Sequence, residues 1–287
     1  MSMYQSIKKT LCRHPLLSIG GGCLLSRWLY LENHRVELSH YVLRRPHIPA
    51  AFNGVTFLHL SDIHNGEFPR GEERRWRRAL SQIPIDYILI TGDLIERRKP
   101  KFKQALHYAE KWLSVAPVFF VSGNHEVRCT GGKTFVQALQ KTGVQILDHQ
   151  KIFLERKGER IVLMGLPDPY SYGYERAKGA YVQDALTIAA APEDFAVLLA
   201  HRPEYLPLYN RLQADLILSG HAHGGQIQLP GIGGLYAPGQ GFFPRYTHGA
   251  YTLGHSTMVV SRGLGPSVFP QRLLNRPEVG IIELAKM

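Results

Sequence analysis

Cysteine is scarce in this chain. Cys12, Cys23 and Cys129 form no Cys-x-x-Cys pair. That excludes a cysteine-based zinc site and a disulfide framework, and so sparse a count fits a reducing compartment. Acid is also in deficit, with 23 Asp+Glu against 34 Lys+Arg and a net charge of +11 over 287 residues. Such a balance favours anionic partners. No aromatic-interleaved basic repeat or nucleic-acid-binding motif accompanies it, so nucleic acid is not an expected partner. No internal repeat, low-complexity tract or G-x-S-x-G nucleophile turn occurs either. The longest uncharged stretch near the amino terminus, residues 16–26, falls short of the ~20 residues that a spanning helix needs. Arg27 and Trp28 end it without the small-residue cleavage site of a signal peptide. Lys8, Lys9 and Arg13 precede it. A basic, aromatic-flanked apolar segment of this kind suits attachment to an anionic membrane surface. The plainer alternative is a helix packed on the main domain.

From about residue 52 the chain alternates between strand and helix signals. Residues 55–60, 87–90 and 118–121 are short apolar, β-rich runs. Residues 71–80, 101–114 and 134–141 carry charged or helical spacing between and after them. Residues 161–164, 196–199 and 216–218 repeat the strand theme. Continuous apolar strands imply sheets buried on both faces, with ligands gathered at the carboxyl ends of the strands. After His223 the texture becomes glycine-rich. Residues 226–229, 258–260 and 280–284 read as a mixed or antiparallel second sheet. The expected division is an amino-terminal extension, 1–49, and one catalytic domain, 50–287.

Five patches carry metal-compatible side chains, each where an apolar run ends: Asp62-x-His64, Gly92-Asp93, Gly123-Asn124-His125-Glu126, His201, and Gly220-His221-x-His223. Mixed oxygen and imidazole donors suit Mn²⁺, Fe or Zn²⁺ better than Mg²⁺ or Ca²⁺. On an extended chain, Asp62 and His64 would lie on one side and reach one ion. His221 and His223 repeat that logic, and a loop carboxylate such as Asp93 can bridge two ions. The preceding glycines allow close backbone approach or an unusual φ. Each patch alone is commonplace; the ordered set is what points to a two-metal site for phosphate esters. Trp76, within a basic helix, is expected either against lipid or over the core. His59 is expected to point away from Asp62.

The order D-x-H, G-D, G-N-H-[DE], H, G-H-x-H resembles the calcineurin-like metallophosphoesterase superfamily over most of residues 55–284. Gly224-Gly225-Gln226, Arg245-Tyr246, residues 261–265 and residues 275–278 resemble its bacterial YkuE/YaeI branch. The resemblance implies an α/β fold, a four-layer α-β-β-α sandwich of two mixed sheets. It implies that Asp62, His64 and His223 hold one metal, that Asn124, His201 and His221 hold the other, and that Asp93 bridges them. His125 would stand beside the phosphate as acid or transition-state stabiliser. Two divalent ions, Mn²⁺ first with Fe or Zn²⁺ as alternatives, would clamp the phosphate and activate water for in-line attack. Arg128 and Arg262 are weaker candidates for phosphate contacts. The expected substrate is a phosphodiester or pyrophosphate, on a membrane-linked molecule such as UDP-2,3-diacylglucosamine of lipid A synthesis. The expected place is the cytoplasmic side of a bacterial inner membrane, held peripherally. A soluble nucleotide phosphodiesterase is the alternative, and a non-enzymatic metal-binding scaffold a more distant one.

Overall fold

The computed structural model describes residues 15–66, 68–173, 178–266 and 269–287. Helix α1 (Pro15–His34) leads into strand β1 (Glu37–Arg45). Then come β2 (Thr56–Leu60), α2 (Arg70–Leu80), β3 (Tyr87–Ile90), α3 (Phe102–Leu113) and β4 (Val118–Phe120). A five-residue helix α4 (Asn124–Arg128), helix α5 (Gly132–Lys141) and strand β5 (Gln145–Ile146) close the first half. The second half runs β6 (Gln150–Arg156), β7 (Glu159–Leu166), α6 (Lys178–Thr187), β8 (Ala196–Ala200), α7 (Leu206–Arg211) and β9 (Leu216–Ser219). Two small hairpins follow, β10 (Gln228–Leu229) with β11 (Gly233–Gly234), and β12 (Tyr236–Ala237) with β13 (Gly241–Phe242). The chain ends in β14 (Gly249–Leu253), β15 (Ser256–Val260) and β16 (Glu278–Lys286).

Two six-stranded mixed sheets result, ordered β1-β16-β2-β3-β4-β5 and β14-β15-β9-β8-β7-β6. Strands β2 to β5 are parallel, as are β7, β8, β9 and β15. The period-two alternation of each strand divides its side chains between two cores. Phe57, Leu89, Phe119 and Val121 of the first sheet meet Leu163, Val197, Leu199 and Leu218 of the second between the sheets. The alternate residues Leu58, Leu60, Ile90 and Phe120 face outward under α2, α3 and α5. Met164, Leu198, Ala200 and Ile217 do the same under α6 and α7. Both sheets are therefore dry on both faces, which is why their central strands are apolar throughout rather than alternating. The result is the α-β-β-α sandwich that the sequence led us to expect.

Helix α2 shows how little apolar surface a helix needs here. It is almost entirely charged, yet Trp76 and Leu80, four residues apart, share one face and are buried. The Trp76 indole stacks on Trp112 of α3 with ring centroids 5.6 Å apart. Trp76 thus covers the core and does not face lipid. Burying an aromatic side chain of this size stabilises by ~1.5–3 kcal/mol.

Three sequence expectations change. Residues 280–284 do not join a second sheet; β16 enters the first, antiparallel to β2 with Gly280 opposite His59. Residues 37–45, placed with the amino-terminal extension, form the edge strand β1, parallel to β16 over nine residue pairs. The first sheet therefore begins at residue 37. Of residues 226–229 only 228 and 229 form a strand, the small hairpin strand β10, while 258–260 belong to β15 beside β9. The carboxyl-terminal strand crosses back over the whole chain, and no local pattern announces such a crossover.

Candidate metal centre

The carboxyl ends of β2, β3, β4, β8 and β9 point to one place. β2 delivers Asp62 and His64, β3 delivers Asp93, and α4 after β4 opens with Asn124 and His125. From the other sheet, β8 delivers His201, and β9 delivers His221 and His223. Asp62, His64 and His223 form one group able to hold a metal ion, and Asp93, His201 and His221 another. His64 Nε2 lies 3.3 Å from His223 Nε2, which is itself 3.3 Å from Asp62 Oδ1. His201 Nε2 lies 3.3 Å from Asp93 Oδ2, 3.2 Å from Asn124 Oδ1 and 3.1 Å from His221 Nδ1. His125 Nε2 stands 3.8 Å from Asp93 Oδ2. Of the ten candidate residues, nine converge. Arg128 lines the cleft, its guanidinium 4.3 Å from the Tyr170 ring centroid. Arg262 does not: it is held by Glu37 at 2.9 Å and Glu278 at 3.4 Å, away from the cleft lining.

The local backbone differs from the extended chain that the Asp-x-His spacing suggested. Asp62, His64, Asp93, His221 and His223 all have positive φ, between 47° and 65°. Non-glycine residues adopt this region at a cost of order 1–3 kcal/mol each, sustained only when surrounding contacts over-determine it. The convergence of Asp62 with His64 thus comes from left-handed turns, and His221 and His223, expected to reach one ion together, are turned into different donor groups. Gly92 does carry a positive φ, 91°. Gly220 serves differently: a Cβ there would collide with the Ser61 hydroxyl and the Asp62 carboxylate. Close approach of the two loops is what requires it.

Orientation is fixed by groups behind the ligands. His201 Nδ1 donates to the Thr91 carbonyl at 2.7 Å, which leaves Nε2 as the lone pair facing the centre. Ser61 Oγ donates to Asp62 Oδ2 at 2.7 Å. Glu126 accepts backbone N–H groups from Asp93 (2.9 Å), Ile95 (3.0 Å) and Gly123 (2.9 Å), tying the third loop to the second. Burial and the Asp93 charge push the Glu126 pKa up to about 8, against the pull of those donors. The Asn275 amide donates to the carbonyls of His223 (2.8 Å) and Gln226 (3.1 Å), stabilising the turn that presents His223. Arg272, fully buried, donates to the carbonyls of Gly263 and Gly265, and this loop bonds in turn to Ser61 and Asp62. Glu126 stood in a motif that we singled out, without a role. Thr91 and Arg272 carried no sequence signal, because a backbone carbonyl or a buried loop side chain looks the same wherever it points; Asn275 stood in a segment that resembles the bacterial branch, but without a role.

The electrostatics suit a cation. Burial drives the pKa values of His64, His221 and His223 down, so their imidazoles are neutral with free lone pairs. Burial would lower His201 as well, but the Asp93 and Asp62 charges raise it to about 10. Burial raises Asp62, with the Asp93 charge adding to it. For Asp93 the nearby imidazoles outweigh burial and hold it well below the usual carboxylate range. Two buried carboxylates that draw a proton this strongly onto an imidazole would draw a divalent ion to the same lone pair. Within the centre His64 Nε2 faces His223 Nε2 at 3.3 Å and His221 Nδ1 faces His201 Nε2 at 3.1 Å, nitrogen against nitrogen beside the carboxylate oxygens of Asp62 and Asp93. Lone pairs gathered in this way fit a shared cation, and the opposite ring nitrogens, His64 Nδ1, His221 Nε2 and His223 Nδ1, are buried without a hydrogen-bond partner.

The centre opens into a cleft of about 290 Å³ lined by Arg97, Arg98, Arg128 and Arg202, with Glu96 and Tyr170. His125 sits at its edge, 18% exposed. Its Nδ1 accepts the backbone N–H of Arg97 at 3.0 Å, so the imidazole proton resides on Nε2, toward the centre.

A four-layer sandwich with Asp, Asn and His side chains at its strand ends belongs to the metal-dependent phosphoester hydrolases. The sequence profile of the calcineurin-like phosphoesterase family matches residues 55–225, and the chain belongs to that family. It is similar to the metallophosphoesterase YkuE of Bacillus subtilis, with 29% identity over 276 residues, covering 93% of this chain and 91% of that protein. It is also similar to the phosphodiesterase YaeI of Escherichia coli, 28% identical over 207 residues, 69% of this chain and 70% of that one. Among solved structures, a dimetal phosphatase from Danio rerio overlays with a TM-score of 0.45 at 14% identity, covering 74% of this chain and 88% of that chain.

Proposed function

We propose that this hydrolase cleaves a phosphodiester or pyrophosphate bond at a dinuclear centre. Asp62, His64 and His223 would hold one ion, Asn124, His201 and His221 the other, and Asp93 both. The observation that carries this reading is the pair of adjacent donor groups, each drawing ligands from both sheets. Manganese is the first candidate, with iron and zinc next, because the donors mix oxygen and imidazole. When bound, such ions supply Lewis-acid stabilisation of phosphoryl oxygens and acidify water.

The chain's own residues do the rest. Asn124 adds a neutral oxygen, so the second group carries less negative charge than an all-carboxylate set would. His125 holds its proton on Nε2 and can deliver it to a departing oxygen. The arginines of the cleft attract and orient an anionic substrate. Helix α4 is pinned by Glu126, so Asn124 and His125 move as one piece with the Asp93 loop.

A lipid-linked substrate, of which UDP-2,3-diacylglucosamine is one form, is the finer version of this proposal. Its support is the basic, apolar amino terminus and the similarity to the YkuE and YaeI proteins. Peripheral attachment to an anionic bacterial inner membrane, on its cytoplasmic side, goes with it. Among the described residues no helix is long and apolar enough to cross a membrane. We take residues 37–287 as the catalytic unit, because β1 completes its first sheet.

The test is turnover with added Mn²⁺ on bis-p-nitrophenyl phosphate, p-nitrophenyl phosphate and UDP-2,3-diacylglucosamine, with metal content measured in parallel. Preference for the diester or the diphosphate supports the reading. Preference for the monoester, or full activity of Asp93→Ala, would overturn it. Activity on the diester with none on the lipid would leave the soluble phosphodiesterase alternative.

A further inference from the structure

Acid is absent from two long stretches of this chain. No Asp or Glu occurs before Glu32, and none occurs between Asp215 and Glu278. The first stretch carries Lys8, Lys9, Arg13 and Arg27, and the second Arg245, Arg262, Arg272 and Arg276. Lys8, Lys9 and Arg13 lie outside the described residues.

The two stretches meet in the fold. Gln271 donates to the Leu29 carbonyl of α1 at 3.1 Å, and Asn33 donates to the Pro270 carbonyl at 2.9 Å. Residues 269–273 then bond to the start of the first small hairpin, Gln228 N–H to Leu273 O at 3.0 Å. That hairpin bonds to the second through Leu235, whose carbonyl accepts from Phe243 at 3.0 Å. The connected surface holds most of the exposed large apolar side chains among the described residues, ten of sixteen. Leu24 is 71% exposed, Ile232 68%, Phe242 71% and Phe243 63%. Pro238 and Gly239, between β12 and β13, also line the catalytic cleft.

We propose that α1, the hairpin loops of residues 227–243 and the segment 269–274 form one docking surface for an anionic lipid bilayer, with the catalytic cleft at its rim. Exposed Phe, Ile and Leu at loop tips gain by entering the headgroup–acyl boundary, and the one carboxylate of these segments, Glu32, is buried and paired with Arg276, so it does not repel anionic headgroups. A second copy of this chain fits less well. Arg272 is buried on backbone carbonyls and Arg262 and Arg276 are paired with acids, but a two-fold contact would still bring the exposed Arg27 and Arg245 of both copies together with no exposed carboxylate of these segments to pair them. Nucleic acid would meet the charge but leave the aliphatic tips unsatisfied. The surface deepens the lipid-linked reading of the site and rests on it for the choice of a bilayer. It also adds something that reading lacks: attachment by loops more than 200 residues from the amino terminus.

Vesicle co-sedimentation of the full chain tests this without turnover, so binding and hydrolysis can fail separately. The probes are phosphatidylcholine–phosphatidylglycerol vesicles and pure phosphatidylcholine vesicles in low salt. The intact chain should sediment with the anionic vesicles and not with the neutral ones. Phe242→Ser with Phe243→Ser should lower partition about tenfold, with turnover of soluble bis-p-nitrophenyl phosphate unchanged. Ile232→Ser, a single change at an exposed tip, should lower it by a smaller factor and serves if the double variant does not fold. Failure of the intact chain to bind anionic vesicles overturns the proposal. So does undiminished binding of the loop variants, which would leave attachment to the amino terminus alone. Saturable dimerisation through this face, or tighter binding to RNA than to vesicles, also overturns it.

Discussion

The two sheets match in strand number and in being buried on both faces, yet they contribute different chemistry. The first sheet supplies every candidate oxygen donor, Asp62, Asp93 and Asn124, and two imidazoles, His64 and His125. The second supplies only imidazoles, His201, His221 and His223. Neither donor group is complete on one sheet. Negative charge thus enters from one side only, while the neutral, burial-depressed imidazoles His221 and His223 come from the other. Formation of the centre is thereby coupled to the packing of the two sheets across Phe119, Val121, Val197 and Leu199. A metal bound there would tie the sheets together from the edge.

The sharpest way to break this asymmetry is to remove the charge that serves both groups. Asp93→Ala should abolish turnover, by at least about 10³-fold, and lower metal content, while the circular dichroism of the fold persists. Retention of two tightly bound ions would sink the bridging role. Next is His125, which belongs to the first sheet but needs no metal to act. His125→Gln should cost ~10²–10⁴ in kcat for poor leaving groups, and much less for p-nitrophenolate. Equal losses for both leaving groups would argue against proton delivery.

His59 lies on β2 within the first sheet, fully buried and 2.8 Å from Thr91 Oγ1. Burial lowers its pKa from 6.5 to about 4. The unfolded chain therefore binds a proton below pH 6.5 that the native state refuses until near pH 4. The stability this neutral imidazole contributes is present above pH 6.5 and falls as pH drops through that window, by about 3 kcal/mol. Denaturant titrations of the native chain and of His59→Gln at both ends of the window should differ by that order. Identical pH slopes would show that His59 is not the cause.

Chelation tests whether metal holds the sheets together. Stripping the chain should lower its stability by ~2.7 kcal/mol relative to the same protein with Mn²⁺ at a hundred times its Kd. An unchanged Tm in calorimetry would separate the centre from the packing. The smallest change touches one donor group only. Asn275→Ala removes the donor to the His223 and Gln226 carbonyls, at a cost of ~1–3 kcal/mol. It should weaken the ion near Asp62, His64 and His223 while the other remains, so metal analysis should move from two ions per chain toward one. Equal weakening of both ions would show a general loosening instead.

Much of this was readable along the chain. The apolar runs placed β2, β3, β4, β8 and β9, and the donor residues at their ends marked the centre without any knowledge of topology. The glycines before Asp93, Asn124 and His221 were readable as a group; that Gly92 serves φ while Gly220 serves contact was not. Arg262 looked like a phosphate ligand because it sits between Ser261 and Gly263. Its true partners, Glu37 and Glu278, arrive from β1 and β16, far away in sequence.

The sequence by itself determined the layered α/β class, the donor types and the strand ends that carry them, because burial and period-two alternation are written residue by residue. Only the tertiary structure decided the left-handed turns at Asp62, His64, Asp93, His221 and His223, the crossover of β16, and the direction in which each imidazole proton points. Those features depend on contacts between segments as far as 243 residues apart, such as Glu32 with Asn275. A local pattern carries no information about which carbonyl will stand behind which histidine.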